Sequence, residues 1–332
     1  MRDEDAIRLG FAGDVMLGRL IDDRQRKRSV AAVWGNVETH LEALDGLFIN
    51  LECCLSARGT PWTDTYRPFH FRADPDWAIP ALNAVGVDWT NLANNHMLDY
   101  GPDALRDTIS YLDEAEIAHS GAGTDAKSAR APAFVSVDDL DIAFVSFTDN
   151  TPEFAAESDS PGTAHVEFDV TDDKAARIVG DSLAQAREAN PDLLVASLHW
   201  GPNMRTEPTV EFREFARWLT EQGVDVVHGH SAHVFQGVEI VDGTVVMYDT
   251  GDFLDDYAVD SERRNDRSFV FELTVEDGDC TELRLHPTEI YDLAVHEAEH
   301  YASNWSMQRM DTLSSAFGTQ FEREDDGLVL SI

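Results

Sequence analysis

The sequence predicts an α/β fold in which two β-sheets pack together and helices cover their outer faces. Strand-like and helix-like segments alternate along the chain up to about residue 233, a pattern typical of parallel sheet. After residue 234, paired strands with short turns follow one another, which indicates antiparallel sheet. Hydrophobic residues make up 43% of the 332 residues, so the chain can bury a sizeable core.

Six predicted strands each run into a short polar loop. The strands cover residues 7–13, 47–50, 88–92, 193–198, 224–227 and 245–248. In the same order, the loops carry Asp14; Glu52; Asn94, Asn95 and His96; His199; His230 and His233; and Asp252. Open α/β sheets bind ligands beyond the carboxyl ends of their strands. The pattern therefore predicts a mononuclear or binuclear metal site where the six loops converge.

The remaining elements follow from periodicity and turn signals. Helices are predicted over residues 73–85, 102–114, 171–189, 210–222 and 293–317. Further strands are predicted over 117–121, 133–137, 142–147, 238–241, 269–275, 280–285 and 328–332. Pro102 suits the first turn of a helix, and the turn Asp242-Gly243 is a strong hairpin signal.

The net charge excludes several classes of function. The chain has 63 acidic and 25 basic residues, which gives a charge of −38, and its acids are spread along the sequence. This pattern predicts a surface adapted to high salt, as in a halophilic organism. The alternative is an ordinary acidic cytosolic enzyme, for which the charge is extreme. Binding of nucleic acid or of anionic membrane requires a basic face and is not expected. An anionic substrate stays possible, because bound metal cations would set the local field.

The localisation signals are few. The N-terminus passes directly into a predicted strand, and no run of about 18 apolar residues occurs, so we expect neither a signal peptide nor direct membrane insertion. We therefore expect a cytoplasmic protein. Cys53, Cys54 and Cys280 are too few for a disulfide framework.

Each polar residue at a strand end has a structural alternative. Asp14 could be a turn aspartate, Glu52 could cap a helix, and a lone histidine such as His199 is more often structural than catalytic. His230 and His233 are more specific, because they place two imidazoles within one turn after a buried strand. Imidazole suits zinc, iron, manganese and nickel. The shared position of all these residues favours a metal site.

Several short motifs carry a resemblance to a known family. They are Gly13-Asp14, Asn50-Leu-Glu52, Leu92-Ala-Asn-Asn-His-Met-Leu-Asp-Tyr-Gly101, His199-Trp-Gly201, Gly229-His-Ser-Ala-His233 and Tyr248-Asp-Thr-Gly-Asp-Phe253. Together they resemble the CapA family of capsule, or poly-gamma-glutamate, biosynthesis proteins, within the calcineurin-like metallophosphoesterase superfamily. The resemblance covers about residues 7–292, and its most specific parts are 68–75 and 92–101.

The resemblance implies a four-layer α/β/β/α sandwich of the metallo-dependent phosphatase type over residues 1–292, with 293–332 as a C-terminal helical extension packed on it. The implied ligands of one or two divalent ions (Mn, Fe or Zn) are Asp14, Glu52, Asn95, His199, His230 and His233. His96 would be the catalytic acid that protonates the leaving oxygen. Arg19, Arg72 and Asn94 would bind an anionic small-molecule or polymer substrate, and capsule-synthesis proteins are the implied partners.

Two departures from the superfamily pattern bear on the function. Met16 stands where the superfamily usually has a histidine, and the bridging aspartate appears as Glu52. Both leave the first metal position with fewer ligands, so one metal, or a weaker second one, is expected. The leading hypothesis is a metal-dependent hydrolase that cleaves a phosphoester with metal-activated water. The second hypothesis is a non-catalytic, metal-stabilised accessory protein in surface-polymer synthesis.

A competing motif occurs near the C-terminus. His296-Glu-Ala-Glu-His300 matches the H-E-x-x-H pattern of zinc proteases, with both histidines expected on one helix face. That function would need a third ligand from the last 32 residues, such as Glu322 or Glu324. A chance match on an exposed, acid-rich helix is the better interpretation.

Overall fold

The computed structural model describes residues 6–324 and 326–332. The strands are β1 Ile7–Val15, β2 Gly46–Leu51, β3 Cys54–Leu55, β4 Arg72–Ala73, β5 Val87–Asn91, β6 Ala118–Ser120, β7 Ala122–Gly123, β8 Ala133–Val137, β9 Leu140–Thr148, β10 Gly162–Thr163, β11 Leu193–His199, β12 Val226–His230, β13 Val238–Val241, β14 Thr244–Met247, β15 Asp252–Leu254, β16 Arg267–Glu276, β17 Asp279–Tyr291, β18 Ala294–Glu297, β19 Glu322–Arg323 and β20 Leu328–Ser331. The helices are α1 Arg19–Gln25, α2 Glu38–Leu41, α3 Pro75–Ala84, α4 Gly101–Glu114, α5 Ala126–Ala129, α6 Asp173–Arg187, α7 Val210–Glu221 and α8 His300–Ser315. Short 3₁₀ helices cover Val30–Trp34 and Pro152–Phe154.

Two large sheets organise the chain. The first sheet has the order β19-β20-β17-β16-β1-β2-β5-β6, with β15 beside β1 and β18 beside β17. The second sheet has the order β13-β14-β12-β11-β9-β8. In the first sheet, β1, β2, β5 and β6 run parallel, while β16 pairs antiparallel with both β1 and β17. In the second sheet, β9, β11, β12 and β14 run parallel, while β13 pairs antiparallel with β14. The predicted α/β class is therefore confirmed.

The main core lies between the two sheets. Aromatic rings from both sheets meet there: Trp89 of the first sheet stacks on Phe144 of the second, with ring centroids 4.2 Å apart. Phe48 contacts the same Phe144 ring edge-on at 4.8 Å. All three side chains are fully buried, so their apolar area contributes strongly to holding the sheets face to face.

Helices cover the outer faces of both sheets. Leu82 of α3 and Leu105 of α4 belong to the buried cluster on the first sheet. Val179 of α6 and Phe215 of α7 belong to the cluster on the second sheet. Asp74 and Thr209 begin α3 and α7 by accepting hydrogen bonds from the backbone N–H groups of Asp76 and Phe212.

The C-terminal segment differs from the prediction. Residues 294–297 form β18, which pairs antiparallel with β17, and α8 begins only at His300. The prediction of a continuous helix over 293–317 is therefore wrong in its first part. His296 and Glu297 lie in a strand and His300 opens a helix, so the H-E-x-x-H residues do not share one helix face. The expectation that they lie on an exposed, acid-rich helix is therefore wrong as well.

The rest of this segment packs on the main fold. Met307 and Met310 of α8 join the core between the sheets, and β20 pairs with β17. Among the described residues, no helix combines the length and the apolar character that a membrane span requires.

Candidate metal centre

Two glycines let the strand ends come close together. A Cβ atom on Gly13 would lie 1.8 Å from the carbonyl oxygen of Gly251, and one on Gly229 would lie 2.1 Å from that of Tyr248. The missing side chain at Gly13 lets β1 and β15 pair closely, with Asp14 opposite Asp252, and the missing side chain at Gly229 lets β12 come close to Tyr248. The backbone N–H of Asp14 donates to the Gly251 carbonyl at 2.9 Å. The carboxylates of Asp14 and Asp252 thereby reach one site.

Asp14, His199 and His230 form the first set of potential ligands, with one donor atom from each within 4.8 Å of the others. His199 and His230 end the paired strands β11 and β12 and lie opposite each other in register. Their Nδ1 atoms are 2.9 Å apart, and each lies 3.9 Å from Asp14 Oδ1. All three side chains are buried.

Asp14, Glu52, His233 and Asp252 form the second set, also within 4.8 Å of one another. His233 Nδ1 lies 2.7 Å from Asp252 Oδ1 and 3.2 Å from Asp14 Oδ2. His233 has a left-handed backbone conformation, with φ at 61°, a strained state that is concentrated at functional sites. Both sets therefore share the Asp14 carboxylate.

The second set has a polar atom without a partner. Glu52 Oε2 accepts a hydrogen bond from the Tyr257 hydroxyl at 3.0 Å. Its other oxygen, Oε1, is buried and has no hydrogen-bond partner among residues 6–324 and 326–332. A buried carboxylate oxygen left in this way is costly, and a cation would satisfy it.

The electrostatics of the centre suit a divalent cation. Burial lowers the pKa of His199 to about 3 and that of His230 well below its usual range, so both imidazoles are neutral, the form that binds metal. Burial, together with the charge of Asp14, raises the pKa of Glu52. Burial alone would lower the pKa of His233, but Asp252 and Glu52 raise it well above its usual range. The ionised Asp14 carboxylate with the two neutral imidazoles of His199 and His230 fits Mn, Fe or Zn.

Asn50 and Asn95 complete the surroundings of His199. Asn50 Nδ2 donates to Asp14 Oδ1 at 2.7 Å and lies 3.4 Å from His199 Nδ1. The amide oxygen of Asn95 lies 3.0 Å from His199 Nε2. Asn95 is thus held at the edge of the centre, where an amide oxygen can serve as a neutral ligand.

His96 lies beside the centre and is oriented by a carboxylate. Its Nδ1 is 2.5 Å from Asp99 Oδ2, and its Nε2 is 4.0 Å from Glu52 Oε1. Arg67 Nε donates to the other oxygen of Asp99 at 3.1 Å, and the Phe71 ring stacks on His96 at 3.9 Å. Burial lowers the pKa of His96, and Asp99 opposes this effect. The pair therefore fixes the ring and directs Nε2 to the centre.

A cavity of about 550 Å³ opens over the centre. It is lined by Arg19, Tyr66, Arg67, Pro68, Phe69, Phe71, Asn95, His96, Asn203, Met204, His233, Tyr257 and Ala258. Arg19 lies in this wall, with its guanidinium 5.0 Å from the Phe69 ring centre. The cavity thus joins His96 and His233 to two arginines and several aromatic rings.

Arg72 and Asn94 do not line this cavity. The Arg72 guanidinium donates to the Arg58 carbonyl at 2.8 Å and packs over the Tyr100 ring. Asn94 is fully buried and its amide donates to Asn50 Oδ1 and to the Leu51 carbonyl. The structure therefore places Asn94 beneath the centre, as a support for the loop.

The structure brings the six predicted ligands and His96 together, and with them Asp252, which the sequence places in the sixth predicted loop but not among the implied ligands. It adds residues that the sequence did not predict for the site, namely Asn50, Arg67, Asp99 and Tyr257. Asp252 follows the sixth predicted strand and Asp99 lies three residues after His96, so both had a signal in the sequence. Tyr257 had none, because its partner Glu52 is 205 positions away.

Comparisons with known proteins find related sequences. The family model described as "Bacterial capsule synthesis protein PGA_cap" matches residues 8–257. A protein of Mycobacterium tuberculosis (strain ATCC 25618 / H37Rv) is named "Probable polyglutamine synthesis accessory protein". It is 30% identical to this chain over an alignment of 372 positions, and the alignment includes 98% of this chain and 96% of that protein. The "Capsule biosynthesis protein CapA" of Bacillus anthracis is 24% identical over 333 residues, 100% of this chain and 79% of that one.

A solved structure is similar in fold. The crystal structure of a hypothetical protein from Thermus thermophilus aligns with 86% of this chain and all of its own, with a TM-score of 0.52 and 18% identity. At that identity the likeness concerns the fold alone.

Proposed function

Because the chain belongs to the PGA_cap family of bacterial capsule synthesis proteins, we propose that it is a metal-dependent hydrolase that acts on a phosphoester or a related anionic substrate. The observation that carries the proposal is the pair of ligand sets that share Asp14, beside an imidazole held by Asp99. In this proposal residues 1–292 form the catalytic domain, and residues 293–332 extend it. Its polymer or small-molecule substrate and its partners belong to capsule or poly-gamma-glutamate synthesis.

The residues of the cavity support this chemistry. When bound, a divalent cation supplies Lewis acidity, which polarises a phosphoryl oxygen and lowers the pKa of water. Asp14, Glu52, Asn95, His199, His230, His233 and Asp252 would hold one or two such ions. Arg19, which lines the cavity, would bind an anionic group of the substrate, and the stacked Phe71 ring covers one face of the His96 imidazole.

His96 is proposed as the general acid. Asp99 accepts a hydrogen bond from Nδ1, which leaves Nε2 directed at the centre. A proton on Nε2 can pass to the leaving oxygen, while Asp99 stabilises the charged imidazole. The hydrogen bond from Arg67 to Asp99 keeps the carboxylate in position.

The test is hydrolysis of a dialkyl phosphodiester such as glycerophosphocholine, whose alkoxide leaving group needs a proton, with Mn²⁺ in molar KCl by the wild type and by His96→Gln. Loss of a general acid should lower kcat by about 10²–10⁴-fold while the metal content stays unchanged. His119→Gln is the matched control, because His119 pairs with Asp113 on the surface and should keep full activity. Unchanged activity in His96→Gln would refute the role of His96.

A second candidate function is a non-catalytic accessory role. Met16 is buried and its sulfur accepts a hydrogen bond from the backbone N–H of Gly18, so the position usually held by a histidine ligand contributes none here. A wild type that binds metal but hydrolyses neither phosphodiesters nor phosphomonoesters would favour this candidate.

A further inference from the structure

A second group of potential metal ligands shares no residue with the centre. It consists of His40 on α2, Glu272 on β16 and His286 on β17, with one donor atom from each within 4.8 Å of the others. His40 Nε2 lies 3.4 Å from Glu272 Oε2, and His286 Nε2 lies 3.1 Å from the same oxygen. We call these three residues the hairpin cluster.

The backbone explains why the hairpin cluster assembles. In the antiparallel pair β16 and β17, Glu272 is opposite Arg284 and His286 is opposite Val270. Since side chains alternate between faces, Glu272 and His286 are diagonal neighbours on one face of the sheet. His40 reaches them from α2, and its ring centre lies 4.2 Å from that of His286.

One polar atom of the hairpin cluster lacks a partner. His40 Nε2 is buried and, within the described part of the chain, forms no hydrogen bond. Burial lowers the pKa of His40 to about 4, with a further contribution from His286, so the imidazole is neutral near pH 7. Arg8 lies 3.9 Å from the other oxygen of Glu272, Oε1, which leaves Oε2 directed at the two imidazoles.

We propose that His40, Glu272 and His286 form a second metal site, which takes a divalent transition-metal cation of the zinc class. Two imidazoles and one glutamate are a ligand set that binds Zn²⁺ with a fourth position left open. Glu272 and the two histidines offer Oε2 and two Nε2 atoms within reach of one ion. Bound there, the cation joins α2 to the β16–β17 hairpin.

The fourth position faces residues of the C-terminal segment. A cavity of about 320 Å³ next to the hairpin cluster is lined by His40 and His286 together with Glu297, His300 and Asp326. Two of the three residues that made the H-E-x-x-H match therefore line this cavity, whereas His296 stacks on Tyr291 with ring centroids 3.8 Å apart. A water molecule or one of these side chains can complete the coordination.

The test is the zinc content of the full chain, stripped with a chelator and dialysed against Zn²⁺ in molar KCl. The double variant His40→Gln/His286→Gln should bind one zinc ion fewer per chain than the wild type and keep the same phosphodiesterase activity. His296→Gln is the matched control, because it alters the motif outside the hairpin cluster, and it should bind as much zinc as the wild type. A double variant that binds as much zinc as the wild type would overturn the proposal.

Two further measurements keep the test decisive. Glu272→Gln retains the side-chain volume and should lose the same zinc ion even if the double variant folds poorly. With Co²⁺ in place of Zn²⁺, the wild type minus Glu272→Gln difference spectrum should show the visible absorption of a four-coordinate ion. No such difference, in a variant with the wild-type circular dichroism spectrum, would also overturn the site.

Discussion

At the scale of the residue, Asp14 is the side chain on which the candidate centre depends. Burial alone would raise its pKa, but the adjacent protonated imidazole of His233, 3.2 Å from Asp14 Oδ2, lowers it. Asp14 therefore stays ionised although it is fully buried. An ionised carboxylate shared by both ligand sets is what a bridged pair of cations requires.

Asp149 gives a prediction of pH dependence. Its carboxylate accepts the backbone N–H of Gly201 at 3.1 Å, and burial raises its pKa from 3.8 to about 6. Because the pKa is higher in the folded chain, this residue contributes stability that is complete below pH 3.8 and is lost as the pH rises through 6. Asp149→Asn cannot ionise, so its stability relative to the wild type should be greater above pH 6.

Urea unfolding of both proteins between pH 4 and pH 8 measures this effect. The difference in free energy of unfolding should be largest at pH 8 and should become small as the pH approaches 4. A difference that is the same at every pH would show that the pKa of the Asp149 carboxylate is not raised.

Proximity within the site was predictable for some residues only. His199 and His230 end neighbouring parallel strands of the second sheet, so their proximity follows from the strand pattern. Asp14 comes from β1 of the first sheet, and only the packing of the two sheets brings it to them. Asp252 is brought to Asp14 by pairing between β1 and β15, and nothing local in the sequence specifies that pairing. The Tyr257 hydroxyl reaches Glu52 from a loop, which has no periodic pattern to reveal its direction.

At the scale of the element, the two large sheets depend on strand ends that come unusually close. Gly13→Ala places a Cβ atom 1.8 Å from the Gly251 carbonyl, so β1 and β15 must separate. We expect this change to lower metal affinity about 10-fold or more, because the carboxylates of Asp14 and Asp252 then no longer face one site. Titration with Mn²⁺, followed by calorimetry, measures the affinity.

Gly180→Ala is the matched control for Gly13→Ala. Gly180 lies in α6, and a Cβ atom there meets nothing within 4 Å. Alanine has the higher helix propensity, so Gly180→Ala should raise the free energy of unfolding by up to about 1 kcal/mol and leave metal affinity unchanged. Equal metal affinity in the two variants would contradict the role assigned to Gly13.

The predictability of elements depended on their length and context. Strands such as β9 and β11, and helices such as α4 and α7, lie within a few residues of their predicted positions. Their apolar periodicity extends over several turns or alternations, which makes the pattern specific. β18 was missed because its four residues suit a helix start as well as a strand, and only the free edge of β17 selects the strand.

At the scale of the whole molecule, the net charge of −38 dominates the surface. We propose that this surface is adapted to high salt, where counterions screen the mutual repulsion of the acids. The melting temperature should rise with KCl concentration, most steeply below about 1 M, where the Debye length falls from about 10 Å at 0.1 M to about 3 Å. Differential scanning calorimetry between 0.1 M and 3 M KCl measures the rise, and a constant melting temperature would contradict the proposal.

The position of β1 has a consequence for synthesis on the ribosome. This strand leaves the exit tunnel well before β16, yet it lies inside the first sheet between β2 and β16. Phe11 of β1 pairs in register with Phe271 of β16. The first sheet therefore cannot form completely until the ribosome has translated residue 271. Non-local pairing of this kind slows folding. A nascent chain that has not yet reached β16 therefore leaves one edge of β1 unpaired, and the Asp14–Asp252 pair of the candidate metal centre can form only after Asp252 has been made.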